Sequence, residues 1–214
     1  TKRAACCSAS RRISWRRTKR REMAMPGETL LIARLPMLVV EALLRGMAPL
    51  QLQRRLGNAL FEPHNWHQSL SLIYPAHMRD ALLAACRDIK ATAFAMHIDR
   101  LESDGNVPAH IHWRLIPSGG KPAGLVRLLE ARRVTFEAHG IYDDMGHGAH
   151  TTICYRALQG LPTFLNIPLA TWIVDAIELV AVRGFGRTYR YETLEVWPLA
   201  PMPEPLMIQQ SLPL

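Results

Sequence analysis

Two stretches 83 residues apart share one signature, and together they restrict this chain more than any other feature. Asn65-Trp66-His67-Gln68-Ser69-Leu70-Ser71-Leu72-Ile73-Tyr74 and His150-Thr151-Thr152-Ile153 each place a hydroxyl residue two positions after a histidine, then an apolar residue. Alternating polar and apolar residues over 67–73, and β-branched residues over 150–153, read as short strands, in which residues i and i+2 share a face. His67 and Ser69 therefore share one face, and His150 and Thr152 share another. An imidazole beside a hydroxyl donor, presented twice, suits chemistry on a phosphodiester. One imidazole takes a proton from the nucleophile while the other gives one to the leaving oxygen, and the hydroxyls hold the non-bridging oxygens. With nine histidines and nineteen Ser or Thr in 214 residues, a little under one His-x-Ser/Thr is expected by chance, so the surroundings must decide.

A chain of 214 residues can bury one good-sized core, or two small lobes sharing one. Its formal charge of +8 is concentrated at one end. Residues 1–22 hold nine Lys or Arg against Glu22, whereas the remainder carries seventeen basic and seventeen acidic residues. RNA binding by the folded part must therefore rest on local patches. Cys6, Cys7, Cys86 and Cys154 show no Cys-x-x-Cys spacing, which reads as a reducing, cytoplasmic setting without a disulfide framework. No apolar run approaches membrane-spanning length, so no membrane partner is expected. The Arg-rich start has some features of a transit peptide, but it reads better as a translated segment upstream of Met23 or Met25.

In order, residues 1–25 read as a basic disordered tail, 26–199 as the folded domain and 200–214 as a Pro-rich tail. Thr29 to Pro36 predicts a buried strand. Residues 37–58 have helical spacing, interrupted at Gly46 and Pro49. The first histidine strand stops at Pro75, and 76–90 form a second helix with Met78, Leu82, Cys86 and Ile89 on one face. Strands at 92–101 and 109–116 flank an Asp104-Gly105 turn, and a helix over 122–139 ends at Gly140. The Gly-rich loop 145–149 enters the second histidine strand, and 172–182 and 189–197 pair as the last strands across loop 183–188. Each successive half of the chain thus runs through an amphipathic helix into a His-x-Ser/Thr strand, which predicts a pseudo-twofold cleft.

These features resemble the two-histidine (2H) phosphoesterases, specifically the RNA 2',3'-cyclic phosphodiesterases also called 2'-5' RNA ligases, over about 29–199. The resemblance is carried by the strand ending Arg34-Leu35-Pro36, by Trp66-His67-Gln68-Ser69-Leu70 and by Asp99-Arg100-Leu101. It continues through the Leu-rich helix before Gly140, Ala149-His150-Thr151-Thr152-Ile153-Cys154-Tyr155 and Glu195-Val196-Trp197-Pro198-Leu199. Ser69 replaces the family's usual Thr, Ala149 a frequent proline, and Tyr155, followed by Arg156, a frequent basic residue. The resemblance implies an α+β fold of two pseudo-symmetric lobes, each an antiparallel sheet with flanking helices, and an active-site cleft between them. It implies no metal and no cofactor. The substrate would be RNA or a nucleotide ending in a 2',3'-cyclic phosphate, acted on by a monomer without an obligate protein partner. His67 would protonate the departing 3' oxygen while His150 activates water, and Ser69 and Thr152 would hold the phosphate.

Beyond these four, Arg34, Tyr155, Arg156, Arg183, Arg187 and Arg190 are candidates for phosphate contacts, and Phe185 and Tyr189 for base stacking. Trp66 and Trp113 read as core. His64 reads as a surface loop residue, and His147 is a candidate for lining the cleft. His110 and His112, with His97 and Asp99 nearby in sequence, read as an exposed strand face rather than a metal site. Two other function classes stay open. One is a non-catalytic RNA-binding module with relic histidines, and the other a metal-dependent hydrolase using His110 and His112.

Overall fold

The computed structural model describes residues 24–143 and 147–202. Predictions for 1–23, 144–146 and 203–214, including most of both tails, lie outside the described residues. Eight strands form one antiparallel sheet: β1 (Thr29–Arg34), β2 (His67–Ser69), β3 (Phe94–Asp104), β4 (Ile111–Ile116), β5 (Thr151–Ala157), β6 (Leu165–Val174), β7 (Ala176–Arg183) and β8 (Arg190–Pro198). Four α-helices accompany them: α1 (Met37–Gly46), α2 (Leu52–Leu56), α3 (Arg79–Arg87) and α4 (Ala123–Ala138).

Strand order across the sheet is β6-β3-β4-β5-β2-β1-β7-β8. Its centre is a seam where β2 meets β5 through one register pair, Gln68 with Thr151. Four strands on each side make the two lobes, related by a pseudo-twofold that exchanges β2 with β5 and β1 with β4. The lobes are not successive halves of the chain. The lobe built on β1 and β2 is completed by the C-terminal hairpin β7–β8, and β3 to β6 make the other. This follows from a break the sequence does not advertise. The apolar run 172–182, predicted as one strand, is divided at Asp175: β6 pairs with β3 at the far edge, whereas β7 pairs with β1 and β8.

Strand β1 shows why two layers form. Leu31 and Ala33 enter the main core, where Val40 and Leu43 of α1, Leu82 and Cys86 of α3, and Leu125 and Phe136 of α4 also meet. Leu30 and Ile32 point the other way, into a smaller cluster with Val180, Val182 and Tyr189. A strand buried on both faces reads as a continuous apolar run rather than an alternation. Helix α4 ends as its sequence demands. Gly140 takes φ +70°, the Ile141 N–H donates to the Phe136 carbonyl at 2.8 Å, and the Gly140 N–H donates to the Glu137 carbonyl at 3.0 Å. That is a Schellman closure, in which a left-handed residue satisfies the last carbonyls. In α3, Asp80 in the first turn and Arg87 in the last complement the helix dipole. The predicted helix 37–58 is interrupted where expected, α1 ending at Gly46 and a short turn over 48–50 separating it from α2.

Candidate active site

The seam positions the two motifs. With Gln68 opposite Thr151 in an antiparallel pair, the register sets His67 opposite Thr152 and Ser69 opposite His150. Opposed residues share a face, so all four motif side chains lie on the sheet face away from the main core. The residues between them point inward: Gln68 and Thr151 are both buried. The register extends the row, since Arg34 lies opposite His67 on β1, Arg114 opposite Thr152 on β4, and Glu102 opposite Arg114 on β3. Each motif strand is thus flanked by an arginine held by carboxylates. Arg34 pairs with Glu178 at 3.0 Å, and Arg114 with Glu102 at 2.8 Å and Asp104 at 3.2 Å.

Gln68, the middle residue of the first motif, joins the halves. Its Nε2 donates to the Gly148 carbonyl at 2.9 Å and to the Ser69 carbonyl at 2.8 Å, and its Oε1 accepts the His150 N–H at 2.8 Å. One buried amide thereby holds the segment entering β5 against β2. A side chain at Gly148 would crowd the His150 ring, because an added Cβ would lie 3.3 Å from its Nδ1.

His67 is enclosed. Its Nδ1 lies 2.7 Å from the Asn65 carbonyl, which can only accept, so Nδ1 carries the proton. The Nε2 lone pair then faces the site and takes the Ser69 hydroxyl at 3.2 Å. Tyr191 packs edge-on at 4.8 Å between ring centroids. Burial pushes the His67 pKa down to about 4; the Asn65 carbonyl opposes this, and the charges of Arg34 and His150 reinforce it. Asn65 braces the arrangement: its Nδ2 donates to the Tyr189 carbonyl at 3.0 Å, and its Oδ1 accepts the Tyr191 N–H at 3.3 Å.

An aromatic wall rises beside the histidines. Tyr191 meets Tyr189 at 5.4 Å, Tyr189 meets Phe61 at 6.3 Å, and Phe61 meets Tyr155 at 5.1 Å. Tyr155 in turn packs on His112 at 5.0 Å. The Tyr189 hydroxyl donates to that of Tyr191 at 3.0 Å. Burial pushes the Tyr189 hydroxyl up to about 12 and that of Tyr191 well above its ordinary value, so both stay neutral.

The other candidates scatter. Arg34 is committed to Glu178, to the His64 carbonyl at 2.8 Å and to Thr193, which leaves it bracing the site. Tyr189 is buried within the wall, whereas Phe185 stands exposed on loop 183–188. Arg183 pairs with Glu192, Arg156 and Arg190 are exposed, and the Arg187 side chain lies outside the described residues. Trp66 and Trp113 are buried, their indole N–H groups donating to the Phe61 and Gln159 carbonyls. His64 is exposed, and His147 is buried. His97 meets Thr171, Asp99 holds the Ser118 N–H and hydroxyl, and His112 meets Tyr155, so separate partners disperse the histidine face. Among the described residues no group of three His, Cys, Asp or Glu is placed to hold a metal ion. No helix among them is long and apolar enough to cross a membrane.

A buried ion pair supports the site from behind. Arg132 on α4 meets Asp143 at 2.7 Å and donates to the Leu70 carbonyl at 2.7 Å, directly after Ser69. Asp143 also accepts the Leu72 N–H at 2.9 Å and the Tyr74 hydroxyl at 3.0 Å. It thereby ties the segment after the first motif to the approach to the second.

No protein-family model and no curated protein sequence matches this chain. Solved structures do match. E. coli LigT without ligand superposes with a TM-score of 0.63 at 20% identity, covering 83% of this chain and 99% of LigT. A structure described as a phosphoesterase gives 0.62 at 19% identity, with 82% and 99% covered. TT0787 of Thermus thermophilus gives 0.62 at 18%, with 80% and 97% covered. LigT has also been solved with 3'-AMP and with phosphate. The chain thus has the α+β fold of LigT, of that phosphoesterase and of TT0787, with the paired motifs at its central seam.

Proposed function

We propose that this protein is a metal-independent two-histidine phosphoesterase that hydrolyses 2',3'-cyclic phosphate ends of RNA to 2'-phosphates and, with a 5'-hydroxyl in place of water, forms 2'-5' bonds with release of the 3' oxygen. One observation carries the reading: two imidazoles and two hydroxyls share one sheet face, paired across a single antiparallel register. A phosphorus centre over that face meets an acid, a base and two hydroxyl donors at once. The cyclic five-membered ester is strained, so proton transfer to one imidazole and from the other, about 10²- to 10⁴-fold apiece, supplies much of the catalysis. The fold likeness to LigT, solved with 3'-AMP and with phosphate, supports a nucleotide substrate.

In this reading His67 protonates the departing 3' oxygen and His150 activates water. Burial leaves His67 neutral near pH 7 in the free protein, so the bound phosphate anion must raise its pKa before it can act as acid. The neutral resting ring also favours a second reading with the roles exchanged, in which His67 Nε2 accepts the proton of water. Both readings require both rings. Hydrolysis of a 2',3'-cyclic-phosphate RNA in EDTA should fall by about 10²-fold or more in His67→Ala and in His150→Ala. Activity that survives either substitution would remove the mechanism.

A further inference from the structure

Phe61 belongs to two surfaces. Its ring closes the aromatic wall against Tyr155 and Tyr189, and its N–H donates to the Ile153 carbonyl at 2.8 Å, beside Thr152. It also lines a cavity of about 700 Å³ between α1, α2 and the segment before β2, within the size range of small-ligand sites. Met47, Leu52 and Leu60 give this groove apolar walls, while Gln51, Gln53, Arg54 and Glu62 give it polar edges. Arg54 borders an adjoining cavity of about 450 Å³ as well, together with Arg55.

Gln51 marks the groove as built. It holds φ +49° in the left-handed region, a conformation costing a non-glycine residue about 1–2 kcal/mol and one that recurs at ligand sites. Its Oε1 accepts from Arg54 Nη1 at 3.1 Å, orienting that guanidinium beside the groove. An apolar slot edged by side-chain amides suits a nucleobase, whose faces are apolar and whose edges hydrogen-bond. Two exposed arginines in succession suit a phosphodiester backbone.

We infer that this groove is an extended subsite for single-stranded RNA, receiving the nucleotides next to the reacting phosphate. The strand passes from the histidines over Phe61, with its backbone on Arg54 and Arg55. The identity of the ligand rests on the RNA-end function proposed above; the groove, its arginines and its continuity with the aromatic wall do not.

The decisive measurement is fluorescence anisotropy of a labelled octanucleotide RNA on the full chain, over a series of salt concentrations. The comparison is between wild type, the R54E/R55E variant and a control of equal charge change on other surfaces, K90E/R127E. R54E/R55E should weaken binding about tenfold beyond the control, and reduce the salt slope by about 0.7 for each phosphate that is no longer neutralised. Turnover of a cyclic mononucleotide, too short to reach the groove, should be unchanged in R54E/R55E. Octanucleotide affinity and slope equal to those of the control overturn the inference, as does an equal loss of turnover on mononucleotide and octanucleotide. Should wild type hydrolyse no cyclic phosphate at all, the proposed function fails, while the anisotropy series still decides the groove.

Discussion

The two histidine motifs read alike in sequence and sit in opposite surroundings. His67 is sealed beneath Tyr191, its tautomer set by the Asn65 carbonyl and its charge suppressed by burial. His150 is half-buried and held from its backbone by a side chain of the other motif. A repeated pattern therefore delivers two groups that need not behave alike, because environment rather than residue type sets a proton affinity.

The largest test of that difference is the pH dependence of kcat/KM, which reports groups on the free protein. In either reading the active free protein carries one proton between the two rings, so the rate should rise as pH climbs through about 4, where the doubly protonated pair loses the His67 proton. A substrate whose leaving group needs no proton separates the two readings, since it should restore turnover to His67→Ala only if His67 is the acid.

Stability carries the same asymmetry. A folded-state pKa of about 4, against 6.5 for the ordinary side chain, means that the unfolded chain binds the extra proton first. The stability contributed by neutral His67 is fully present above about pH 6.5 and is lost as pH falls through 4. The loss is on the order of 3 kcal/mol. In urea unfolding of His67→Gln, the stability gained between pH 4 and 6.5 should be smaller by about that amount, whereas an unchanged gain would mean that the ring is not buried in solution.

Smallest of the three is the clamp. Gln68→Leu keeps the volume but releases the Gly148 carbonyl and the His150 N–H, and should lower kcat about tenfold with KM little changed, since misplaced reacting groups cost rate more than binding. A change confined to KM would reassign Gln68 from positioning His150 to holding substrate.

What could be read in advance follows physical range. Chemistry-bearing pairs at spacing two, the buried strand at Thr29–Arg34 and the glycine that ends α4 are local signals, and they placed the motif strands and the fold class. The first motif strand was overextended, three residues long rather than seven, because Leu70 to Tyr74 leave the ladder to meet Arg132 and Asp143. A lone arginine in a helix ordinarily reads as solvated, and nothing local marks Arg132 as buried. Asp175 interrupts an apolar run with neither glycine nor proline beside it, which hid the change of sheet edge and hence the lobe assignment. The Gly148 partner of Gln68 and the Tyr189 partner of Asn65 lie 80 or more residues away in the chain, where periodicity carries no information.

A joint of one strand pair, Gln68 with Thr151, and one isolated bridge, Leu60 with Cys154, gives the central seam little backbone stiffness of its own. The span between the imidazoles is therefore governed by how α1 seats on β6 and α3 on α4, contacts on the opposite side of the sheet. A substitution that reseated those helices would open or narrow the reaction groove like a book at its spine, leaving every strand ladder on either page intact.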